Sequence, residues 1–266
     1  MPFTLTRRPN ELVFRPVRLT ARTWLAPHYV RVRLEGDALR GFDSPGSDDH
    51  LRVFFPDGAS VPDLVDTDAL REFPSREYTP LAWDASGGSL DLEFVVHGHG
   101  VAGRWAAEAA VGSLVGVGGP RGSMVVDGSP AGWFLAGDET ALPAIRRFLE
   151  QLSRVAPDGR GLVLVEVPDA DHRPPIEAPA GTELRWVHRG EASEGSALAA
   201  ALDALGAADR PAPAADAGDV FAFIAAEHSI VKPGRALVLD RWALDAERVI
   251  VKGYWRRGEA EYHAPH

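Results

Sequence analysis

The sequence predicts an antiparallel β-barrel over residues 1–128, followed by a parallel-sheet α/β domain over residues 129–266. Three observations support this prediction. The chain has 266 residues, which is enough for two domains. Apolar residues in its first half occupy every second position between turn-forming clusters, as in half-buried antiparallel strands. In its second half, short apolar runs alternate with segments of helical spacing, as in βαβ units.

The barrel prediction depends on several short strands. Apolar and mostly charged side chains alternate at 30–35 and 90–96, and shorter apolar runs occupy 51–55 and 114–117. Clusters of Gly, Pro, Asp and Ser separate these segments. Short strands with turns between them are typical of a small barrel.

The α/β prediction depends on apolar runs of the kind that parallel sheets bury on both faces. Such runs occupy 133–136, 161–167, 184–187, 220–226 and 248–252. Helical spacing appears at 142–152, with Pro143 in the first turn, and again at 196–205. Residues 206–218 are rich in Ala, Pro and Asp and are predicted to form an exposed loop.

Composition restricts the class of partner. The chain carries 28 basic and 38 acidic residues and a net charge of −10, which argues against nucleic acid or an anionic membrane as the main partner. It contains no cysteine, which excludes disulfides, thiolate catalysis and Cys-ligated zinc. No apolar run approaches the length of a membrane span. We therefore expect a cytoplasmic protein without membrane insertion.

A glycine-rich segment, Gly98-His99-Gly100-Val101-Ala102-Gly103, matches the pattern G-x-G-x-x-G. The strand before it alternates like an antiparallel one, so the match alone does not indicate a dinucleotide-binding βαβ unit. Two interpretations stay open. The glycines could let a phosphate approach the N–H groups of a following helix, or they could form an ordinary turn.

A second segment, Arg76-Glu77-Tyr78-Thr79-Pro80, places an Arg and a Tyr two residues apart. On an extended strand both side chains lie on the same face. The guanidinium could then bind a diphosphate while the phenol packs on a flat heterocycle. The alternative is a surface pair on an edge strand.

Five motifs follow one another along the chain. They are Arg76-x-Tyr78-Thr79, His97-Gly98-x-Gly100-x-Ala102-x-x-Trp105, Gly119-Pro120-Arg121-Gly122, Gly137-Asp138-Glu139-Thr140-Ala141-Leu142-Pro143-Ala144-Ile145 and Gly253-Tyr254-Trp255-Arg256-Arg257-Gly258. In this order the sequence closely resembles the siderophore-interacting protein family of ferric-siderophore reductases, within the ferredoxin-reductase-like flavoproteins. The resemblance spans about residues 14 to 258.

The resemblance implies that the barrel binds FAD and that the second domain is NAD(P)H-binding-like, with NADH, NADPH or ferredoxin as the electron donor. Residues 137–140 would face the donor, and Tyr254 and Trp255 would lie near the flavin or the site entrance. The implied cofactor-binding residues are Arg76, Tyr78, Thr79, His97, Gly98, Gly100, Ala102, Trp105, Gly122, Ser123, Gly137, Asp138, Thr140, Tyr254 and Trp255.

The implied chemistry belongs to the flavin, so we expect no catalytic side chain and no protein-bound metal. The substrate would be a ferric siderophore, from which reduction to Fe(II) releases the iron. Many ferric siderophores are anionic and would need local cations on so acidic a chain. The family's basic pocket has its matches here in Arg52, Arg121, Arg256 and Arg257. The alternative for each is a solvated surface arginine.

The donor site is the part that the sequence leaves most open. Asp138 and Glu139 would repel a diphosphate if they faced it, and Pro233-Gly234 should delay or bend the helix after residue 229. Arg173 could meet the 2′-phosphate of NADPH, but Asp169 and Asp171 beside it would oppose that group. A flavin-dependent reductase of quinones or other acceptors, or a non-catalytic flavin or ferric-chelate binding module, are the alternative functions. A monomer is favoured.

Overall fold

The computed structural model describes residues 3–56, 73–98, 100–212, 219–259 and 262. The chain divides into two compact units. One is Arg7–Val125, and the other is the chain from Val126 onward together with the segment that ends at Thr6. Within the described residues, none of the helices is both long and apolar enough to cross a membrane.

The first unit is built on a seven-stranded sheet in which every recorded pairing is antiparallel, as the alternating pattern predicts. The strands are β2 (Phe14–Ala26), β3 (Tyr29–Glu35), β4 (Leu51–Phe54), β5 (Ser75–Tyr78), β6 (Ala82–Asp84), β7 (Ser89–Val95) and β8 (Leu114–Gly118), in the order β5-β4-β8-β2-β3-β7-β6. Helix α1 (Val101–Glu108) follows β7, and a short 3₁₀ helix covers Asp37–Leu39. A separate two-stranded sheet joins β1 (Thr4–Pro9) to β9 (Gly122–Asp127).

The seven-stranded sheet curls around its own core, as a barrel does. Tyr78 lies on β5, the first strand of the order, and Phe94 lies on β7, the sixth, yet their ring centroids are 4.1 Å apart. The core between them is made of alternate residues from the strands, with Val30, Val32 and Leu34 on β3 fully buried. The predicted barrel architecture is therefore confirmed.

The outer face of β7 carries two acids that arginines of β3 cover. Arg31 Nη2 lies 2.8 Å from Glu93 Oε1, and Arg33 Nε lies 2.8 Å from Asp91 Oδ1. The Tyr29 hydroxyl donates a further hydrogen bond to Glu93 Oε2 (2.7 Å). Opposite charges on directly paired positions stabilise the register of these two strands.

The second unit is a five-stranded parallel sheet, which confirms the predicted α/β architecture. Its strands are β10 (Gly132–Gly137), β11 (Arg160–Val167), β12 (Thr182–His188), β13 (Val220–Glu227) and β14 (Val249–Trp255), in the order β12-β11-β10-β13-β14. Its helices are α2 (Leu142–Val155), α3 (Ser196–Ala204) and α4 (Val231–Arg235). Short 3₁₀ helices cover Glu139–Ala141, Ala207–Asp209, His228–Ile230 and Ala246–Arg248.

The strand order of this sheet fixes where a ligand can bind. The chain builds outward from β10 through β11 to β12, and then returns to the other side of β10 with β13 and β14. Open α/β sheets bind ligands beyond the carboxyl ends of their strands at such a reversal. Here that place lies just after Gly137 on β10 and Glu227 on β13, which are adjacent strands.

Helix α4 begins before Pro233 and Gly234, so the expectation of a late start is wrong. Pro233 falls in the first turn, where its missing N–H group costs no helical hydrogen bond. A Cβ on Gly234 would lie 3.2 Å from side-chain atoms of Ile224 and Val251, so glycine lets the helix approach the sheet without moving these side chains. The helix type changes directly after α4, where Ala236–Arg241 forms a π-helix.

Trp242, just after this π-helix, fills the core on one side of the parallel sheet. It is 1% exposed, and its ring meets that of Phe134 edge to face at 5.0 Å. Its indole Nε1 donates a hydrogen bond to the carbonyl oxygen of Gly206 (2.8 Å). The side chain thus combines apolar burial with a satisfied polar group.

Trp242→Ala should lower the free energy of unfolding by about 3–5 kcal/mol, because it removes a fully buried aromatic side chain. Chemical denaturation of the purified variant measures this loss. Trp24→Ala is the matched control, since Trp24 is 47% exposed on β2. Its effect should stay within about 1 kcal/mol. Equal losses in the two variants would contradict the packing described here.

Candidate functional site

The end of β5 brings together the first group of predicted cofactor-binding residues, Arg76, Tyr78 and Thr79. Arg76 Nη1 donates to the carbonyl oxygen of Ser75 (2.7 Å), and Thr79 is buried. Burial raises the pKa of the Tyr78 phenol, while the charge of Arg76 acts in the opposite direction. Tyr78 therefore stays protonated at neutral pH, with the guanidinium in its neighbourhood.

The glycine-rich segment forms the turn between β7 and α1, as predicted. His97 and Gly98 are exposed, and a Cβ on Gly98 would meet no atom within 4 Å. Gly100 has φ +106°, which favours glycine, and it is the N-cap residue of α1. His99 lies outside the described residues.

Phe94 joins this segment to the strand that carries Tyr78. The ring of Trp105, on α1, lies 6.2 Å from that of Phe94, which itself lies 4.1 Å from Tyr78. Ala102, one turn earlier on α1, is buried against the same core. The structure thus brings the Arg76–Thr79 motif and the glycine-rich motif to one aromatic cluster, Tyr78, Phe94 and Trp105.

The residues at this cluster fit a flavin dinucleotide. The N-cap residue of α1 is Gly100, which has no side chain to occupy the helix amides, and the first turn of the helix contains no acid. Such amides bind phosphate well, and an arginine fork adds to that binding. The Tyr78 ring offers an aromatic face for a heterocycle. Residues Arg76, Tyr78, Gly98 and Gly100 would hold FAD here.

Gly122 and Ser123, also predicted to bind the cofactor, lie at the start of β9. The Ser123 hydroxyl is buried, donates to Asp49 Oδ2 (2.7 Å) and accepts from Asn10 Nδ2 (2.9 Å). The side chain therefore takes part in an internal network. A Cβ on Gly122 would lie 3.3 Å from the carbonyl oxygen of Arg8. A cofactor-binding role for these two residues stays a prediction.

The four arginines predicted to bind substrate differ in their ion pairs. Arg52 Nη2 lies 2.7 Å from Glu77 Oε1, Arg256 Nη1 lies 3.0 Å from Glu259 Oε1, and Arg257 Nε lies 3.2 Å from Glu194 Oε2. Arg121 is exposed and forms no ion pair with the part of the chain that the structure describes. Its charge is therefore the least neutralised of the four.

Arg15 fixes the turn that carries Arg121. Its buried Nη1 donates to the carbonyl oxygens of Val13 (3.1 Å) and Gly119 (3.0 Å), and its guanidinium lies 5.2 Å from the Phe42 ring centroid. Burial lowers the pKa of Arg15. The glycine-proline-arginine turn is thus held by a buried cation.

In the second unit, the motif after β10 surrounds a buried carboxylate. Asp138 is 1% exposed. Its Oδ1 accepts hydrogen bonds from the amide (2.9 Å) and hydroxyl of Thr140, and its Oδ2 accepts from the Glu227 amide (3.1 Å) and Trp255 Nε1 (2.8 Å). Burial, and then the charge of Glu139, raise its pKa to about 6.

Gly137, the last residue of β10, has a packing reason to be glycine. A Cβ there would lie 2.5 Å from that of Ala141 and 2.7 Å from the carbonyl oxygen of Ala225. The following 3₁₀ helix can therefore approach the sheet closely. A cofactor-binding role for Gly137, Asp138 and Thr140 stays a prediction, and the side chains of the last two already bind each other.

Glu139 faces a cation that the sequence-based predictions did not include. Arg189, directly after β12, binds Glu139 in a two-point ion pair with distances of 2.8 and 3.0 Å. Arg189 Nη1 also lies 3.7 Å from Oε1 of Glu166 on β11. The ion pair neutralises one of the acids that would repel a diphosphate.

Glu166 and Glu227 are two further acids at this edge, and each caps a helix. Glu166 is fully buried and accepts from the amides of Gly195 (2.8 Å) and Leu198 (2.7 Å) at the start of α3; burial raises its pKa. Glu227 accepts from the amides of Ser229 (2.7 Å) and Arg257 (3.3 Å). Burial raises the pKa of Glu227, but these hydrogen bonds outweigh that effect and hold the pKa below its usual value.

Glu166 and Glu227 bind main-chain amides at the carboxyl edge of the sheet. The only signal of Glu166 in the sequence is one acid inside an apolar run, and its capping partners lie 29 and 32 residues away. Trp255 lies at the same edge through its bond to Asp138, and Lys252 Nζ lies 5.3 Å from the Tyr254 ring centroid. No group of acids and histidines among the described residues is arranged to hold a metal ion.

Two family models match the chain, one in each half. Residues 18–124 match the siderophore-interacting FAD-binding domain, and residues 130–258 match the siderophore-interacting protein model. Together they cover most of the chain, including the aromatic cluster and the acid-rich edge.

Named relatives and solved structures agree with these models. The chain is 33% identical over 254 residues to the NADPH-dependent ferric-chelate reductase of Escherichia coli K12, covering 92% of this chain and 94% of that protein. It is 32% identical to the ferric vibriobactin reductase ViuB of Vibrio cholerae, covering 91% and 90%. A siderophore utilization protein from T. fusca has 33% identity and a TM-score of 0.80, with 97% of each chain covered. The chain therefore belongs to the siderophore-interacting protein family, with an FAD-binding domain in its first half.

Proposed function

We propose that this protein is an FAD-dependent oxidoreductase that reduces Fe(III)-siderophores and thereby releases Fe(II). The observation that carries the proposal is the cluster of Tyr78, Phe94 and Trp105, which lies beside Arg76 and the start of α1, where Gly100 is the N-cap residue. The names of the relatives, ferric-chelate reductase and ferric vibriobactin reductase, support the substrate class.

In this proposal residues 1–128 hold the flavin and residues 129–266 receive the electron donor. FAD, when bound, takes up two electrons and passes them on singly. The chain's own residues bind and orient it, Arg76 and the α1 amides at the diphosphate and Tyr78 at a ring system. The iron complex is the substrate, and its hard oxygen ligands hold Fe(II) less strongly than Fe(III).

The donor is a nicotinamide nucleotide, with reduced ferredoxin as the alternative. The Escherichia coli relative is named for NADPH, which supports the first choice. The proposal also includes a location in the cytoplasm, since the absence of cysteine suits a reducing compartment. The oligomeric state in the proposal is a monomer.

The purified protein should carry FAD, or take it up, and should form Fe(II) from a ferric siderophore when NADH, NADPH or reduced ferredoxin is supplied. An Fe(II)-specific colorimetric chelator measures the product under anaerobic conditions. Flavin-loaded protein that forms no Fe(II) from any ferric chelate with all three donors would disprove the proposal. Faster reduction of quinones would favour a general reductase. Chelate binding without flavin reduction would favour a binding module.

Arg121→Ala should raise KM for anionic ferric chelates roughly 3- to 10-fold, because it removes a cation that forms no ion pair among the described residues, and should leave the flavin content unchanged. KM for a neutral chelate should not change. Arg52→Ala should have a smaller effect, since Glu77 already pairs with Arg52. Arg18→Ala, which removes an exposed arginine of β2, is the control for net charge. Equal losses for neutral and anionic chelates would contradict the electrostatic role.

The protonation of Asp138 makes the stability of the second unit depend on pH. The ionised carboxylate accepts from the Trp255 indole and from three other donors. Its pKa of about 6 lies above that of an aspartate in an unfolded chain. Folding therefore favours the protonated form, and the contribution of Asp138 to stability decreases as the pH rises from about 4 to about 6.

Replacement of Asp138 by Asn should remove this pH dependence. The difference in free energy of unfolding, wild type minus Asp138→Asn, should decrease by about 1 kcal/mol or more between pH 5 and pH 7.5. Chemical denaturation at the two pH values measures it. Asp245→Asn, which alters an exposed cap of a 3₁₀ helix, is the control and should show no such change. A difference that is constant with pH would contradict the assignment.

A further inference from the structure

The carboxyl ends of β11 and β12 carry a cation that the proposed function does not yet use. Arg173 follows β11, and its Nε and Nη2 lie 3.0 and 2.8 Å from Nε2 of His188, the last residue of β12. Its guanidinium carbon lies 5.7 Å from the ring centroid of Trp186 on the same strand. His188 and Trp186 thus hold the arginine at the end of the sheet, and both Arg173 and His188 are exposed.

The two acids beside Arg173 do not neutralise it. Asp169 Oδ1 accepts from the amides of Asp171 (2.9 Å) and His172 (3.2 Å) and lies 2.7 Å from His172 Nδ1. The bond to His172, followed by these amides, holds the pKa of Asp169 below its usual value. Asp171 is exposed, and no residue that the structure describes forms an ion pair with Arg173. Asp169 keeps its negative charge, but the hydrogen bonds of its Oδ1 are made within its own turn and not with Arg173.

At two places on the carboxyl edge, main-chain amides are already occupied by acids. The amides at the start of α3 already bind Glu166, and those after β13 bind Glu227. Arg189, which directly follows β12, is held by Glu139. Among the described cations in the segments that follow β10 to β13, Arg173 is therefore well placed to meet an anion.

We propose that Arg173, with His188 and Trp186, forms the subsite for the adenosine 2′-phosphate of NADPH and selects NADPH over NADH. The inference rests on the proposed function, because it assumes a nicotinamide donor. In open α/β sheets the residues after the second strand meet the adenine ribose, and an arginine there accommodates the extra phosphate. The guanidinium fork suits a phosphate with a charge of about −1.5 to −2. Trp186 adds an aromatic surface for the adenine.

The direct test is binding of two adenosine nucleotides by calorimetry, which requires neither flavin reduction nor a siderophore. Wild-type protein should bind adenosine 2′,5′-bisphosphate roughly 10- to 100-fold more tightly than adenosine 5′-monophosphate, as expected for a charge-assisted hydrogen-bonded phosphate. Arg173→Gln should remove most of this difference, and Arg173→Lys should retain part of it, because lysine keeps the charge but lacks the fork.

Arg154→Gln is the matched control. Arg154 lies in the last turn of α2, far along the helix from the carboxyl edge, and its side chain is 69% exposed beside Glu150. The control makes the same change in charge and should keep the wild-type difference. Equal binding of the two nucleotides by wild type, or an unchanged difference in Arg173→Gln, would overturn the inference.

Steady-state kinetics then separate this inference from the proposed function. Wild-type kcat/KM should be higher with NADPH than with NADH, and Arg173→Gln should lower it roughly 10-fold or more with NADPH alone. A wild type that reduces ferric chelates equally well with both nucleotides would overturn the inference and leave the proposed function standing. A wild type that reduces no chelate would disprove the proposed function, while the binding data would still decide the subsite.

Discussion

The organisation of the parallel sheet depends on one buried carboxylate. Asp138 receives hydrogen bonds from Thr140 in the segment that leads into α2, from the end of β13, and from Trp255 at the end of β14. Three chain segments that are distant in sequence therefore meet at a single side chain. Loss of the carboxylate would leave a donor in each segment without its acceptor, and buried unpaired donors lower the stability of the fold. Asp138 therefore connects the loops at the reversal of strand order through hydrogen bonds.

The first unit uses an aromatic contact for a comparable purpose. Phe94 lies on the strand that leads into the glycine-rich turn, and its ring contacts both Tyr78 on β5 and Trp105 on α1. The contact with Tyr78 brings the first strand of the sheet order to the sixth. The contact with Trp105 holds α1, the helix whose first amide groups would bind the diphosphate in the proposed function. One core side chain thus connects barrel closure with the orientation of the binding residues.

Periodicity was sufficient to predict most of the fold, because alternation and apolar runs record burial residue by residue. Side-chain networks leave no such record. The hydroxyl of Ser123 binds Asp49, 74 residues away, and Asn10, 113 residues away, so its burial could not be predicted from neighbouring positions. Glu166 was hidden for the same reason inside a strand that was otherwise correctly predicted. Of the two effects expected from Pro233 and Gly234, a late start or a bend of α4, the late start was wrong, since the effect of a proline depends on its place within the turn.

The acids at the carboxyl edge of the parallel sheet also bear on the timing of turnover. Glu166 and Glu227 occupy main-chain amides at the starts of two helices on this edge. A nucleotide that docked here would therefore be bound mainly through its adenosine end. Fewer contacts would then have to break when the nucleotide leaves, so its residence time would be shorter than if its diphosphate were bound as well.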